Sequence, residues 1–246
     1  MASSVRVRLA RELWLFVAPR HRREQVEVRH DGTASLGHVV EALGVPLTEV
    51  GGMLVAGTLV TPSYQLQAGS TVEVRPVPRP QRVSCWRGQF VLDVHLGTLA
   101  RRLRVLGIDA AYRNDAGDDA LIEQANREHR VLLTQDRGLL RRRALGAGAH
   151  VRGTRSADQL ADVLDRFAPP LTPFTRCTAC NGELEQVSKQ DVADELQPGT
   201  RRYYDAYARC RACRRVYWHG AHGRRLDAVV DVARRVTGGR SGAGAR

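Results

Sequence analysis

Lysine is almost absent from this sequence. Lys189 stands alone, and the rest of the 38 basic residues are arginines, set against 26 acidic residues for a net charge of +12. So strong an excess points to a polyanionic partner such as nucleic acid. Arginine's planar fork suits phosphate, although its dominance also fits GC-rich coding, so the sign of the charge carries the argument. Long apolar runs are missing too. None approaches the roughly 20 residues that cross a bilayer, and the opening MASSVRVRLARELW has no apolar block of a signal peptide. A cytoplasmic protein with no membrane partner is expected. Cysteine is scarce, at Cys85, Cys177, Cys180, Cys210 and Cys213. Four of these form two C-x-x-C pairs, which without a secretion signal argues for metal over disulfides. Four thiolates close a tetrahedral shell, so Cys177, Cys180, Cys210 and Cys213 are expected to hold a structural zinc. Cys85, beside Trp86, reads as a structural or linker thiol.

The stretch from Gln89 to Arg143 holds the densest chemistry. Two short apolar runs, Phe90-Val91-Leu92 and Val131-Leu132-Leu133, are followed by Asp93 and Asp136. Such runs, separated by helical patterns, read as buried parallel strands, whose C-terminal ends share the edge where ligands bind. Asp118 and Asp119 open the amphipathic segment DDALIEQANREH between them. Converging carboxylates without His or Cys favour a hard cation with oxygen ligands, Mg²⁺ or Mn²⁺. Taken singly, Asp118 and Asp136 also suit helix caps. The first helix is expected to bury Leu96, Leu99, Ala100, Leu103 and Leu106, with Arg101, Arg102 and Arg104 facing elsewhere. Further helices are read over Leu121–Ala125, over Gly138–Leu145, and after a Ser156-x-x-Gln159 capping box. A short strand is read near Ala149–Arg152.

On Leu92-Asp93, Leu96-Gly97-x-Leu99-Ala100-Arg101-x-Leu103-Arg104-x-Leu106-Gly107, Asp118-Asp119 and Leu133-Thr134-x-Asp136-Arg137, the segment resembles the PIN-like ribonuclease domain of the Mut-seven C-terminal type. The resemblance implies a catalytic acidic site at Asp93, Asp118, Asp119 and Asp136, with Asp93 and Asp136 holding Mg²⁺ or Mn²⁺. His95 departs from the polar or acidic residue usual soon after the first Asp, which leaves one metal or two open. Cys177, Cys180, Asn181-Gly182 and Tyr217-Trp218-His219-Gly220-x-His222 resemble the zinc ribbon that follows the core in that family.

Before the core, alternating Val5, Val7 and Leu9, a helix with Leu36, Val39, Val40 and Leu43 stopped by Gly44, and strands at Met53–Val55 and Thr71–Val74 resemble a ubiquitin-like β-grasp domain. No terminal Gly-Gly follows it, so a docking module for a protein partner is expected rather than a sulfur carrier. The expected order is a β-grasp domain over 1–80 that ends in the proline-bearing stretch Pro76, Pro78 and Pro80, a linker over 81–88, a PIN-like parallel α/β/α core over 89–170, a four-cysteine zinc ribbon over 171–222, and a basic helix with a disordered tail over 223–246. Arg101, Arg137, Arg141, Arg142, Arg211 and Arg214 are candidate RNA contacts, and the basic and aromatic residues of the ribbon suit single strands. His219 and His222, beside a filled zinc shell, are read as packing or hydrogen-bonding groups, with RNA contact or support of the active site as the alternative. The expected function is a metal-dependent ribonuclease. The alternative is a non-catalytic RNA- or ribosome-binding protein using the ribbon and arginine surface. An aspartyl phosphatase is a weaker reading, because Asp93-Val94-His95 lacks the Asp-x-Asp pair.

Overall fold

The structure is a computed structural model and describes residues 3–30, 32–218 and 223–238. His219, His222 and the tail beyond Gly238 lie outside the described residues. The chain divides into two compact units, Met1–Arg82 with Thr134–His150, and Val83–Leu133 with Val151–Arg246.

The first unit is built on strands β1 (Ser3–Leu9) and β2 (Val26–His30), helix α1 (Leu36–Ala42), and strands β3 (Val50–Val55), β4 (Thr58–Val60) and β5 (Thr71–Pro76). Sheet order is β2-β1-β5-β3-β4, with β1 and β5 parallel and the other pairs antiparallel. Val5, Val7 and Leu9 enter one core with Leu36, Val39 and Val40, while Arg6 and Arg8 stay exposed. Alternation in β1 and helical spacing in α1 therefore choose the buried faces. Gly44 ends α1 at φ +106, and a Cβ there would sit 2.6 Å from the Phe16 carbonyl oxygen. This is the ubiquitin-like β-grasp architecture. Strand β4 has no apolar alternation to announce it, and Leu59 at its centre is exposed.

Next along the chain come β6 (Phe90–Leu92), α2 (Gly97–Val105), β7 (Ala110–Tyr112), α3 (Asp118–Arg127) and β8 (Val131–Thr134). Helix α4 (Arg137–Leu140) and strand β9 (Gly148–His150) follow, then α5 (Ser156–Phe167). Strands β7, β6 and β8 are parallel, with Leu92 paired to both Tyr112 and Leu133; β9 is the fourth strand of the sheet order. Every residue of β6 and β8 is buried, as continuous apolar runs require. Two local expectations fail. Arg155 is the N-cap of α5 without a side-chain cap, because Gln159 donates to the Gly153 carbonyl instead of completing a capping box. The helix expected over Gly138–Leu145 is the single turn α4.

The ribbon carries β10 (Leu184–Val187), α6 (Lys189–Val192), α7 (Pro198–Tyr203), β11 (Tyr207–Cys210) and β12 (Val216–Trp218), in the antiparallel order β10-β11-β12. Helix α8 (Gly223–Gly238) closes the described chain, with Val230 and Ala233 buried.

Within the first unit, the β-grasp residues grip the 134–150 segment. The buried Glu49 carboxylate accepts the His150 amide at 2.7 Å. Phe16 meets the His150 ring edge-on, centroids 5.2 Å apart, and the Arg137 guanidinium lies 5.7 Å over the Phe16 ring while donating to the Phe16 carbonyl at 3.4 Å. Part of the stretch expected as core thus packs with the β-grasp residues. Glu49→Ala should strip the His150 amide of its acceptor and cost about 1–3 kcal/mol. Faster hydrogen exchange at that amide, with a lowered melting temperature, is the measurement that checks it.

Candidate metal centre and strand-end carboxylates

Asp93 emerges directly from buried β6. Its amide donates to the Leu133 carbonyl at 3.0 Å, and its carboxylate accepts the Val94 amide at 2.6 Å, capping the 3-10 turn that leads into α2. The side chain is nearly buried. Tyr112 donates to the Val94 carbonyl at 2.9 Å, and a Cβ on Gly97 would lie 2.7 Å from that tyrosine oxygen, so the turn after Asp93 is closely covered. His95 points outward.

Asp118 and Asp119 are exposed in the first turn of α3, where the helix dipole favours negative charge. Gly117 is the N-cap, so the capping role open to Asp118 is not taken. Asp136 does cap α4. Its Oδ1 accepts the Gly138 amide at 2.6 Å and the Leu139 amide at 3.3 Å, which leaves Oδ2 outside the cap. Asp93, Asp118 and Asp119 do not close into a group able to surround one ion. Among the described residues, the four cysteines alone do so.

Cys177, Cys180, Cys210 and Cys213 present sulfurs that all lie within 4.8 Å of one another. Cys177 Sγ is 3.6 Å from Cys213 Sγ, and Cys180 Sγ is 3.5 Å from Cys210 Sγ. A disulfide needs about 2.05 Å, whereas ligands about 2.3 Å from a tetrahedral ion stand roughly 3.8 Å apart. The spacing fits a metal. Each knuckle turns the second cysteine's amide onto the first one's sulfur, Cys180 onto Cys177 and Cys213 onto Cys210, both at 3.4 Å. Gly182 leaves room for them, since a Cβ there would reach Cys210 Sγ at 2.9 Å. Cys85 is exposed and not among these ligands.

The thiols titrate unequally. Burial raises Cys177, but the Tyr217 hydroxyl, donating at 3.0 Å, and the Cys180 and Ala179 amides outweigh it and bring the thiol down to about 6. Burial and three facing thiols push Cys180 up to about 12. Four thiolates this close need a cation, and binding one must release protons.

The first knuckle is welded to β7. Arg104, expected to face away from the core, is only 3% exposed. Its Nε donates to the Ala110 carbonyl at 2.9 Å, and its Nη1 donates to the Thr178 and Ala179 carbonyls at 3.1 and 2.9 Å. Burial lowers its pKa. Asn181 accepts the Ala110 amide at 3.0 Å and donates to Asp109 at 2.8 Å. Sequence reading placed Arg104, Asn181 and Tyr217 in the family motifs but gave them no part in joining the knuckle to the core. The only available signal was that Arg104 is five residues past Leu99 and one past Leu103, on the margin of the apolar stripe.

The candidate RNA contacts scatter. Arg101 is exposed on α2, and Arg141 and Arg142 are exposed after α4, while Arg137 is engaged with Phe16. On the ribbon, Arg211 pairs with Glu185 at 3.1 Å and Glu183 at 3.5 Å, and Arg214 approaches Glu185 at 3.7 Å.

A parallel α/β core carrying a buried strand-end aspartate and joined to a four-thiol ribbon is the frame of a metal-binding α/β protein. Residues 88–230 match the family model described as the Mut7-C RNAse domain, and residues 2–82 match the one described as Mut7-C ubiquitin. The chain belongs to the Mut7-C RNAse domain family, and that membership suggests a nuclease-like function. Comparison with curated proteins and with solved structures gives no match.

Two outcomes follow from this geometry. Arg104→Ala orphans three carbonyls and should cost about 3 kcal/mol or more, seen as a lower denaturant midpoint together with metal loss at lower chelator concentration. Burial raises Asp109, yet hydrogen bonds from Arg130 and Asn181 and the charges of Arg130 and Arg176 outweigh it, holding the carboxyl below its ordinary 3.8. Its folded pKa is depressed, so its contribution is complete above about pH 4 and fades as pH falls through the folded value. Asp109→Asn should therefore be less stable than wild type near neutrality, and the gap should narrow in acid-denaturation curves below pH 4.

Proposed function

We propose that this chain is a metal-dependent ribonuclease, with Asp93 and Asp136 as carboxylate ligands of Mg²⁺ or Mn²⁺ and Asp118 and Asp119 as further acidic members of the site. The observation that carries this reading is the parallel pairing of Leu92 with Leu133. Asp93 follows the first directly, and Asp136 stands three residues beyond the second. The donor set suits a hard cation, and Mg²⁺ keeps several waters and uses only one or two carboxylates plus substrate phosphate, so a closed protein cage is not required. When bound, such an ion offsets phosphate charge and makes water a stronger nucleophile. The protein's own part is to hold Asp93 rigidly, through its amide on Leu133 and its carboxylate on Val94, and to bring RNA in through Arg101, Arg141 and Arg142. Arg137, Arg142, Arg211 and Arg214 would first exchange their present partners for phosphate. The four cysteines hold zinc in a structural role, with no open ligand position. The β-grasp domain offers a surface for a protein partner, and the cytoplasm is the compartment suited to free thiolates.

The second reading, a non-catalytic RNA-binding protein, is favoured by the cap that Asp136 forms and by the open spacing of the carboxylates. Asn caps a helix as well as Asp does, so Asp136→Asn separates the two roles. Cleavage of single-stranded RNA with Mn²⁺ should fall by about two orders of magnitude or more in Asp93→Asn and Asp136→Asn, with the melting temperature of Asp136→Asn almost unchanged. Wild-type rates in both variants would leave the binding reading in its place. Metal analysis should give one zinc per chain, lost in Cys177→Ser; undiminished zinc there would remove the ribbon assignment.

A further inference from the structure

A groove of about 550 Å³ lies in the second unit among α2, the ribbon strands and α8, apart from the acidic residues. One wall is a single face of α2. Thr98, Arg101, Arg102 and Val105 stand at positions i, i+3, i+4 and i+7, which a helix stacks into one stripe. Opposite are Phe174, Tyr217 and Trp218, and Trp218 is 44% exposed in a protein with few aromatic residues. Arg176, ion-paired with Asp109 at 3.5 Å, completes the rim, and no acidic side chain belongs to the described lining. That contrasts with Arg211 and Arg214, whose charges already face glutamates. Arg101 and Arg102 enter no ion pair among the described residues.

We propose that this groove is a base-stacking subsite for single-stranded RNA, with nucleobases on Trp218 and Phe174 and phosphates on Arg101 and Arg102. Its role as a substrate channel rests on the ribonuclease reading above. An aromatic floor beside unpaired guanidinium groups is the combination that binds single strands with little sequence preference. An apolar peptide would use the floor and leave Arg101 and Arg102 without partners. The direction of the groove also fits. Helix α2 rises about 1.5 Å per residue, so Thr98 to Val105 spans roughly 10 Å, and the Thr98 end is five residues from Asp93. A strand lying along α2 is thereby led toward the turn that holds Asp93. Tyr217 anchors the floor, its hydroxyl bound to Cys177 while its ring lines the groove.

The test is binding of an end-labelled oligoadenylate to the full-length, zinc-loaded protein, read in every variant by anisotropy of the label and in wild type also by tryptophan emission, without added Mg²⁺ or Mn²⁺, beside an abasic strand of equal length and an uncharged apolar peptide. Wild-type tryptophan emission should be quenched by oligoadenylate. Trp218→Ala should bind it about tenfold more weakly while binding the abasic strand unchanged, and Trp218→Phe should recover most of the loss. Arg101→Ala/Arg102→Ala should weaken both strands and flatten the salt dependence. Zinc content and melting temperature establish that each variant is folded. Unchanged oligoadenylate affinity in Trp218→Ala, an equal loss on the abasic strand, or quenching by the apolar peptide alone would overturn the proposal. Binding is read without catalysis, so wild-type cleavage by Asp93→Asn would remove the nuclease reading and leave this result standing.

Discussion

A buried guanidinium is costly unless every donor finds an acceptor, and the second unit is arranged around meeting that demand for Arg104. The side chain leaves α2, satisfies the Ala110 carbonyl in β7, and ends on the Thr178 and Ala179 carbonyls inside the first C-x-x-C turn. Three separate pieces of chain are fixed by one planar group. Asn181 completes the join from the other side by taking the Ala110 amide, so the outer edge of β7 meets the knuckle instead of standing open as an unpaired template. Gly107 permits the approach behind it, since a Cβ there would fall 1.9 Å from the Thr172 carbonyl oxygen. The ribbon is therefore a continuation of the core, and the order of its thiols and the order of the parallel sheet depend on each other.

Two sets of side chains with different donor chemistry divide along the same chain. The sulfur site is closed, with crowded ligands, short sulfur–sulfur distances and amides turned onto the thiolates. Such a site stores folding free energy and has no place for substrate. The carboxylates are the reverse: Asp93 and Asp136 each cap a helical turn, while Asp118 and Asp119 stand exposed in the first turn of α3. The groove beside α2 adds what neither site supplies, an apolar aromatic surface with cations along its rim.

The β-grasp residues have a structural task as well as a free surface. Glu49, Phe16 and the backbone near them hold the ends of the segment that begins just after β8 and carries Asp136. A partner that altered this region of the β-grasp fold would act on the α4 turn directly, through packed rings and a buried hydrogen bond.

Much of this was legible in the residues. The β6 and β8 runs, the spacing of α2, α3 and α5, the alternation of β1, and the two C-x-x-C pairs each rest on chemistry that acts within a few positions of the chain. Burial of an apolar stripe, or thiol spacing across a tight turn, needs little beyond local geometry. What tertiary structure alone decided concerns polar groups with ambiguous local preference. Arg104 shares a helix and a side-chain type with Arg101 and Arg102, yet it is buried because the Ala110 carbonyl and the distant Thr178 and Ala179 carbonyls converge where it emerges. Asp118 and Asp136 are equally good caps by type, but only Asp136 takes the role, since Gly117 precedes α3. Gln159 abandons its capping box for the Gly153 carbonyl, and Arg137 turns to Phe16. A polar side chain is settled by whichever partner folding brings within hydrogen-bond reach, and those partners lie up to about 120 residues away in the chain.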